Sequence, residues 1–255
     1  MPFYQKQGEV PNKRHIQFRD NNENLYYEEL ISRKGFSSLY SNAYHINPPT
    51  AVNKVGKYQK IKKDPLDSTH RHYHIKSFDL KSSGDAINAR LSLFYNDDVE
   101  LSIAKIDKSM NALYRNGHND EIIFIQSGSG QFYSNFGNMD LIKGDYIIIP
   151  RGVIWKMEVD EKMNQFIIET NGPVETPTNY RNSHGQLLEH SPYSERDIRT
   201  PQLDKPINDS PCAIKTKLNG GCQDYEYVYH PFDIIGWDGC YYPWILNIKD
   251  FMPIT

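Results

Sequence analysis

Cysteine is scarce. The chain holds three in 255 residues, Cys212, Cys222 and Cys240, and an odd number without a Cys-x-x-Cys pair argues for reduced thiols rather than a disulfide framework or a zinc knuckle. Long apolar runs are missing too: none approaches the roughly 18 residues of a membrane span. The first stretch, MPFYQKQGEVPNKRHIQF, is polar and lacks the apolar centre of a signal peptide. Neither sign of charge dominates, at a formal net charge of −3, which argues against nucleic-acid or anionic-membrane binding by bulk charge. The expectation is a soluble cytoplasmic protein with no nucleic-acid and no membrane partner. Two catalytic signatures are also absent. There is no Gly-x-Ser-x-Gly elbow, and SGSG (Ser127 to Gly130) sits between two strand-like runs and opens no helix, so it is no phosphate loop.

Aromatic residues are plentiful at 13%, with 18 tyrosines, and Tyr and Phe favour strands. Short apolar runs alternate with Gly- and Pro-containing turns, which predicts an all-β domain. The length suits one large domain or two small ones. Within 1–110 the chain reads as extended strands, with one short helix expected at NLYYEELISRKG, capped by Asn24 and ended by Gly35. INARLSLFYNDDVELSIAKI (Ile87 to Ile106) reads as two strands around an Asn-Asp-Asp turn. The densest signal, 111–170, reads as a barrel or sandwich core. There EIIFIQ is a strand, SGSG a turn, QFYSNFG a strand, and DYIIIP, VIWKMEV and QFIIET are further strands. A long irregular loop is expected over 171–204, and strands return over 205–255.

The core region carries a spacing that resembles the two halves of the cupin pattern. Glu121 is followed by Ser127 and Gly128, and Gly144, Pro150 and Gly152 follow in order. A metal-binding cupin places two histidines, one residue apart, ahead of the glutamate, and a fourth ligand three residues after the last glycine. Alternate strand residues share a face, so that spacing aims the ligands at one point inside the barrel. Here those positions are Tyr114, Asn116 and Trp155. Only Glu121 remains, and a single carboxylate does not hold Fe or Zn. His118 is near but out of phase. The reading is a metal-free core with Trp155 as a plug.

Other candidates have bland counterparts. His70, His72 and His74 in HRHYH would share a strand face and could take a divalent metal, but a solvated loop explains them as well. His184, Glu189 and His190 in SHGQLLEHS have the ligand types of a non-haem Fe(II) triad, against a loop that bonds its own backbone. Cys222 and Cys240 have no obvious partner and read as small hydrophobes. KYQKIKK (Lys57 to Lys63) reads as a solvated loop.

Longer stretches carry a stronger resemblance: LYYEELISRKGFSSLYSNAYHINPPT, GDYIIIPRGVIWKMEV, YRNSHGQLLEHSPYSERDIRTP and HPFDIIGWDGCYYPWILNIKDFMPIT, together with the first nineteen residues. In this order the chain resembles the homogentisate 1,2-dioxygenase family over essentially its whole length. The resemblance implies a cupin-type β-barrel or sandwich with extended N-terminal strands and one or two short helices. It also implies a duplicated cupin whose N-terminal copy has lost its metal. The family uses Fe(II) and O2 to open the ring of homogentisate, giving maleylacetoacetate, in tyrosine and phenylalanine catabolism, and forms trimers or dimers of trimers. Its iron ligands match no position of this chain, so no catalytic, metal or substrate-binding residue is assigned. The expectation is the N-terminal part of a longer enzyme, inactive alone, with the loop after Asn171 reaching another domain or subunit. A metal-free binding or structural cupin module remains the second reading, and a small metalloenzyme on either histidine set the third.

Overall fold

Alternation of apolar and polar side chains dominates the chain, and the computed structural model, which describes residues 3–63, 69 and 71–253, turns it into strands. In order these are β1 (Gln5–Gly8), β2 (Tyr27–Ser32), β3 (Tyr40–His45), β4 (Val52–Lys60), β5 (Arg90–Tyr95), β6 (Val99–Ile106), β7 (Leu113–Asn116), β8 (Asp120–Ser134), β9 (Gly137–Leu141), β10 (Asp145–Ile149), β11 (Ile154–Thr170), β12 (Ile198–Arg199), β13 (Cys212–Leu218), β14 (Gly221–Tyr227), β15 (Ile234–Gly239) and β16 (Trp244–Asn247). Among the described residues the only helical pieces are short 3-10 turns, such as Ser77–Asp79 and Glu195–Asp197. None is long and apolar enough to cross a membrane. The all-β expectation holds.

The helix expected from Asn24 to Gly35 is instead β2. Its apolar residues fit a helical period, but β3 offers a full antiparallel partner, from Tyr27 opposite His45 to Ser32 opposite Tyr40. Tyr and Ile sit comfortably on such a half-buried pleat, so tertiary pairing overrides the local pattern. A four-stranded sheet results, in the order β1-β15-β3-β2.

The larger sheet is organised by two long strands that bend. The first half of β8 pairs with β10 and with the second half of β11; its second half pairs with β9 and with the first half of β11. Each long strand therefore serves both layers of a sandwich, as strands do when a bulge lets them turn a corner. One layer continues outward through β6 and β5 on one side and β16 and β12 on the other. The second continues through β7, β13 and β14 to β4.

SGSG is accordingly no turn. It is the bulge at the bend of one continuous strand. Gly128 takes φ +87°, and a Cβ there would strike the Lys162 carbonyl oxygen. The bulge resets the alternation: Glu121, Ile123 and Ile125 point inward before it, Phe132 and Ser134 after it. VIWKMEV and QFIIET are likewise one strand, β11, joined through exposed Asp160 to Lys162. The core between the layers is built by Trp155, Phe132, Tyr114, Ile123, Ile147, Met157 and Ile167. Trp237 joins the small sheet to it, donating from Nε1 to the Phe136 carbonyl at 2.8 Å.

Candidate functional site

The positions that the cupin-like spacing reserves for ligands do converge. Tyr114 and Asn116 come from β7, Glu121 from β8 and Trp155 from β11, and all are buried. Tyr114 stands opposite Trp155 across β7 and β11, and their rings meet edge-on at 5.3 Å.

Arg90, the first residue of β5, fills the centre. Its Nη1 donates to Glu121 Oε1 at 2.5 Å and to Glu169 Oε1 at 3.0 Å, and its Nε donates to the Ala86 carbonyl at 3.0 Å. The guanidinium carbon lies 5.5 Å from the Tyr114 ring centroid and 5.9 Å from that of Trp155, within cation–π range of both. Glu169 Oε2 accepts from Lys217 Nζ at 2.6 Å and from Asn116 Nδ2 at 2.9 Å. Glu100 accepts from Lys63 at 2.9 Å and lies 3.6 Å from Lys217.

Burial and charge act against each other here. Burial pushes Glu121 above the usual carboxylate range, although Arg90 pulls it back. Burial would do the same to Glu169, but Arg90 and Lys217 together hold it below that range. Burial disfavours the Arg90 cation, yet Glu121 and Glu169 keep it protonated. Tyr114 is raised well above its ordinary value by burial and by Glu121, so it stays neutral.

Iron does not fit this centre. Glu121 Oε1 is committed to a guanidinium, and the neighbouring ligand positions offer a phenol, an amide and an indole, none of which is an iron donor set. Among the described residues no group of three or more His, Cys, Asp or Glu is arranged to hold a metal ion. His118 lies half-buried at the β7–β8 turn, where its backbone N–H donates to Asn116 Oδ1 at 3.1 Å. His72 and His74 are exposed, and His70 lies outside the described residues. His184, Glu189 and His190 are exposed on the 171–197 segment, where Asn182 Oδ1 accepts from the backbone N–H of His184 and of Gln186. Cys212, Cys222 and Cys240 are free thiols, and burial pushes each upward, Cys212 to about 11.

Arg90, Glu169 and Lys217 escaped sequence reasoning. A signal existed for one of them. Met163, Gln165, Ile167 and Glu169 share the buried parity of β11, and an acid on a core parity demands a cation. Arg90 and Lys217 carry no such mark, because which cation arrives depends on how β5 and β13 are brought to β7 and β11.

A cavity of about 810 Å³ opens beside this centre, lined by residues of β5, β6, β7, β11, β13 and β14 and of the segment before β5. Arg90, Glu169 and Lys217 form one end of it and Phe94 and Tyr95 part of the wall.

A second buried ionic group lies in the small sheet. His45 is held by Asp233 Oδ1 at 2.6 Å on Nδ1 and by Glu29 Oε2 at 3.1 Å on Nε2. Burial would lower its pKa, but the two carboxylates raise it to about 9.

Comparison with known proteins places these features in context. The family model described as homogentisate 1,2-dioxygenase N-terminal matches residues 31–248. A Saccharolobus solfataricus protein named "Putative dioxygenase" is 38% identical over all of this chain, which spans 66% of that protein's length. Homogentisate 1,2-dioxygenase of Sinorhizobium medicae is 25% identical over 54% of this chain and 30% of its own length. That of Rhodopseudomonas palustris is 29% identical over 52% of this chain and 30% of its own. Among solved structures, a Bacteroides fragilis cupin protein aligns over 46% of this chain and 97% of its own with a TM-score of 0.32 and 18% identity.

Proposed function

The chain belongs to the family of the homogentisate 1,2-dioxygenase N-terminal domain, and from that premise we propose that it is the N-terminal portion of an Fe(II)-dependent ring-cleaving dioxygenase. The whole enzyme would convert homogentisate and O2 to maleylacetoacetate, in tyrosine and phenylalanine catabolism in the cytoplasm. The support for this reaction is the name carried by several relatives, together with the dioxygenase name of the relative at 38% identity.

The observation that carries this chain's part is the guanidinium of Arg90 between Glu121 and Glu169. A fixed side-chain cation takes the place that a metal has in a working cupin. It neutralises the acids that a lost metal would leave facing each other, so the domain keeps its fold without iron. On this reading Fe(II) is held by sequence outside this chain. No step of ring opening belongs to residues described here, and the 255-residue chain has no turnover of its own. Its contribution is scaffold and subunit contact within a homo-oligomer, trimer or dimer of trimers, with the 171–197 segment reaching a neighbour.

The test is to purify the protein at its natural length, load it with Fe(II) and follow O2 uptake with homogentisate. The expected result is one O2 consumed per homogentisate, with no uptake by residues 1–255 alone. Natural-length protein that takes up no iron and consumes no O2 would overturn the reading. It would favour the second one, a metal-free cupin module with a structural or binding role, to which the cavity beside Arg90 already lends support.

A further inference from the structure

The geometry points to a small-molecule site in this chain: the cavity beside Arg90 binds an organic anion with a flat apolar body, separately from any iron centre.

Size comes first. The volume of about 810 Å³ falls in the range of about 300–1,000 Å³ that holds drug-sized ligands. Such a space between two sheet layers is ordinarily filled by side chains. Here β5 leaves its side of the cavity open. Ser92 and Phe94 both line it and both are exposed, Phe94 at 43%. The Phe94 ring meets the Tyr73 ring edge-on at 6.2 Å, and the part of it left wet is apolar area that a ligand body can cover.

Charge sets the polarity of the other end. Lys62, Lys63, Arg90 and Lys217 line the cavity against two acids, Glu100 and Glu169. Glu121 lies behind Arg90 and is not part of the cavity lining. The wall therefore carries a surplus of positive charge. It also carries surplus donors: a lysine ammonium has three, and Lys217 gives one to Glu169. Glu100 Oε2 lies between Lys63 Nζ at 2.9 Å and Lys217 Nζ at 3.6 Å, so an anionic head takes the donors these lysines leave unused, with Lys62 and Arg90 beside them, and gains charge-assisted hydrogen bonds in a partly dry site. A neutral head of the same shape gains less, and a cationic one is repelled.

This proposal goes beyond the reading above and does not depend on it, because the site is lined by this chain alone. Natural-length protein is titrated with the fluorescent probe 8-anilinonaphthalene-1-sulfonate and competed with benzoate and with benzyl alcohol. The expected result is one saturable probe site per chain, displaced by benzoate at a concentration at least tenfold below that needed of benzyl alcohol. Ser92→Trp, which puts a large side chain in place of an exposed hydroxyl bonded to Glu100 on the cavity wall, should abolish that site. Lys63→Met should weaken benzoate competition several-fold while sparing the benzyl alcohol curve. Both variants are checked by thermal unfolding, and O2 uptake with homogentisate should be unchanged in Ser92→Trp. Absence of saturable probe binding, equal competition by acid and alcohol, or full probe binding by folded Ser92→Trp would each overturn the proposal. Loss of O2 uptake in all preparations, wild type included, would bear on the dioxygenase reading and leave this result standing.

Discussion

Glu121 and Glu169 stand directly opposite one another across β8 and β11, both buried, and one nitrogen of Arg90 bridges them at 2.5 and 3.0 Å. Like charges facing each other on a sheet repel, and in a buried setting the repulsion is large enough to forbid the arrangement without a cation. The pair thus explains why a guanidinium lies in a sandwich core. Tyr114 and Trp155, at positions that the cupin-like spacing reserves for ligands, present ring faces to it.

Arg90→Met should destabilise the protein by about 3–5 kcal/mol, since it leaves two buried carboxylates without their shared partner. Adding Glu121→Gln should recover a substantial part, because one of the two charges goes with it. Urea unfolding of the single and double variants measures this. An Arg90→Met effect below about 1 kcal/mol, the range of an exposed pair, would show that the bridge does not form.

His45 makes stability fall in mild base. Its folded pKa of about 9 lies above the about 6.5 of an unfolded histidine. Its contribution is therefore complete below about pH 6.5 and is lost as pH rises through about 9, on the order of 3 kcal/mol in all. Urea midpoints taken across that range should drop in the wild type and much less in His45→Gln. Parallel curves would mean that the proton is not held by Asp233 and Glu29.

Two glycines with similar backbone angles should respond differently to alanine. Gly128 has φ +87° and Gly152 φ +94°, but a Cβ on Gly128 meets the Lys162 backbone whereas one on Gly152 meets open space. Gly152→Ala should cost about 1–2 kcal/mol, the strain of a left-handed residue alone. Gly128→Ala adds a backbone clash at the β8 bend and should cost clearly more. Thermal or urea unfolding decides it, and equal losses would remove the bulge from its role as the corner of the sandwich.

Equilibrium dialysis of residues 1–255 against Fe(II) should leave less than one tightly held iron per chain. In natural-length protein, His184→Ala with His190→Ala should disturb assembly while leaving the thermal midpoint of this chain's own fold within about 1 °C, as expected of exposed positions away from packed features. Unchanged assembly by sedimentation, together with unchanged turnover, would remove the loop from the proposed contacts.

Much of the candidate centre is legible in one dimension. Glu121, Tyr114, Asn116 and Trp155 follow from spacing, because strand periodicity carries positions on one face to one place. Glu169 was legible in principle from its parity with Ile167 and Met163. The helix expected at Asn24 to Gly35 failed because a local period competes with a partner strand that only the fold supplies. SGSG reads as a turn but forms a bulge, because glycine serves both, and which of them forms depends on whether the flanking runs keep the same neighbour, as they do here with β11.

By itself, then, the sequence determined the class: short alternating runs rich in Tyr and Ile, and a ligand pattern stripped to one acid. Those are properties of neighbours along the chain. Only the tertiary structure decided what replaced the ligands. Arg90, Glu121, Glu169 and Lys217 lie on four different strands, β5, β8, β11 and β13, far apart in sequence. A buried acid requires a cation within about 3 Å, but nothing local says which one, because sheet order and register bring them together.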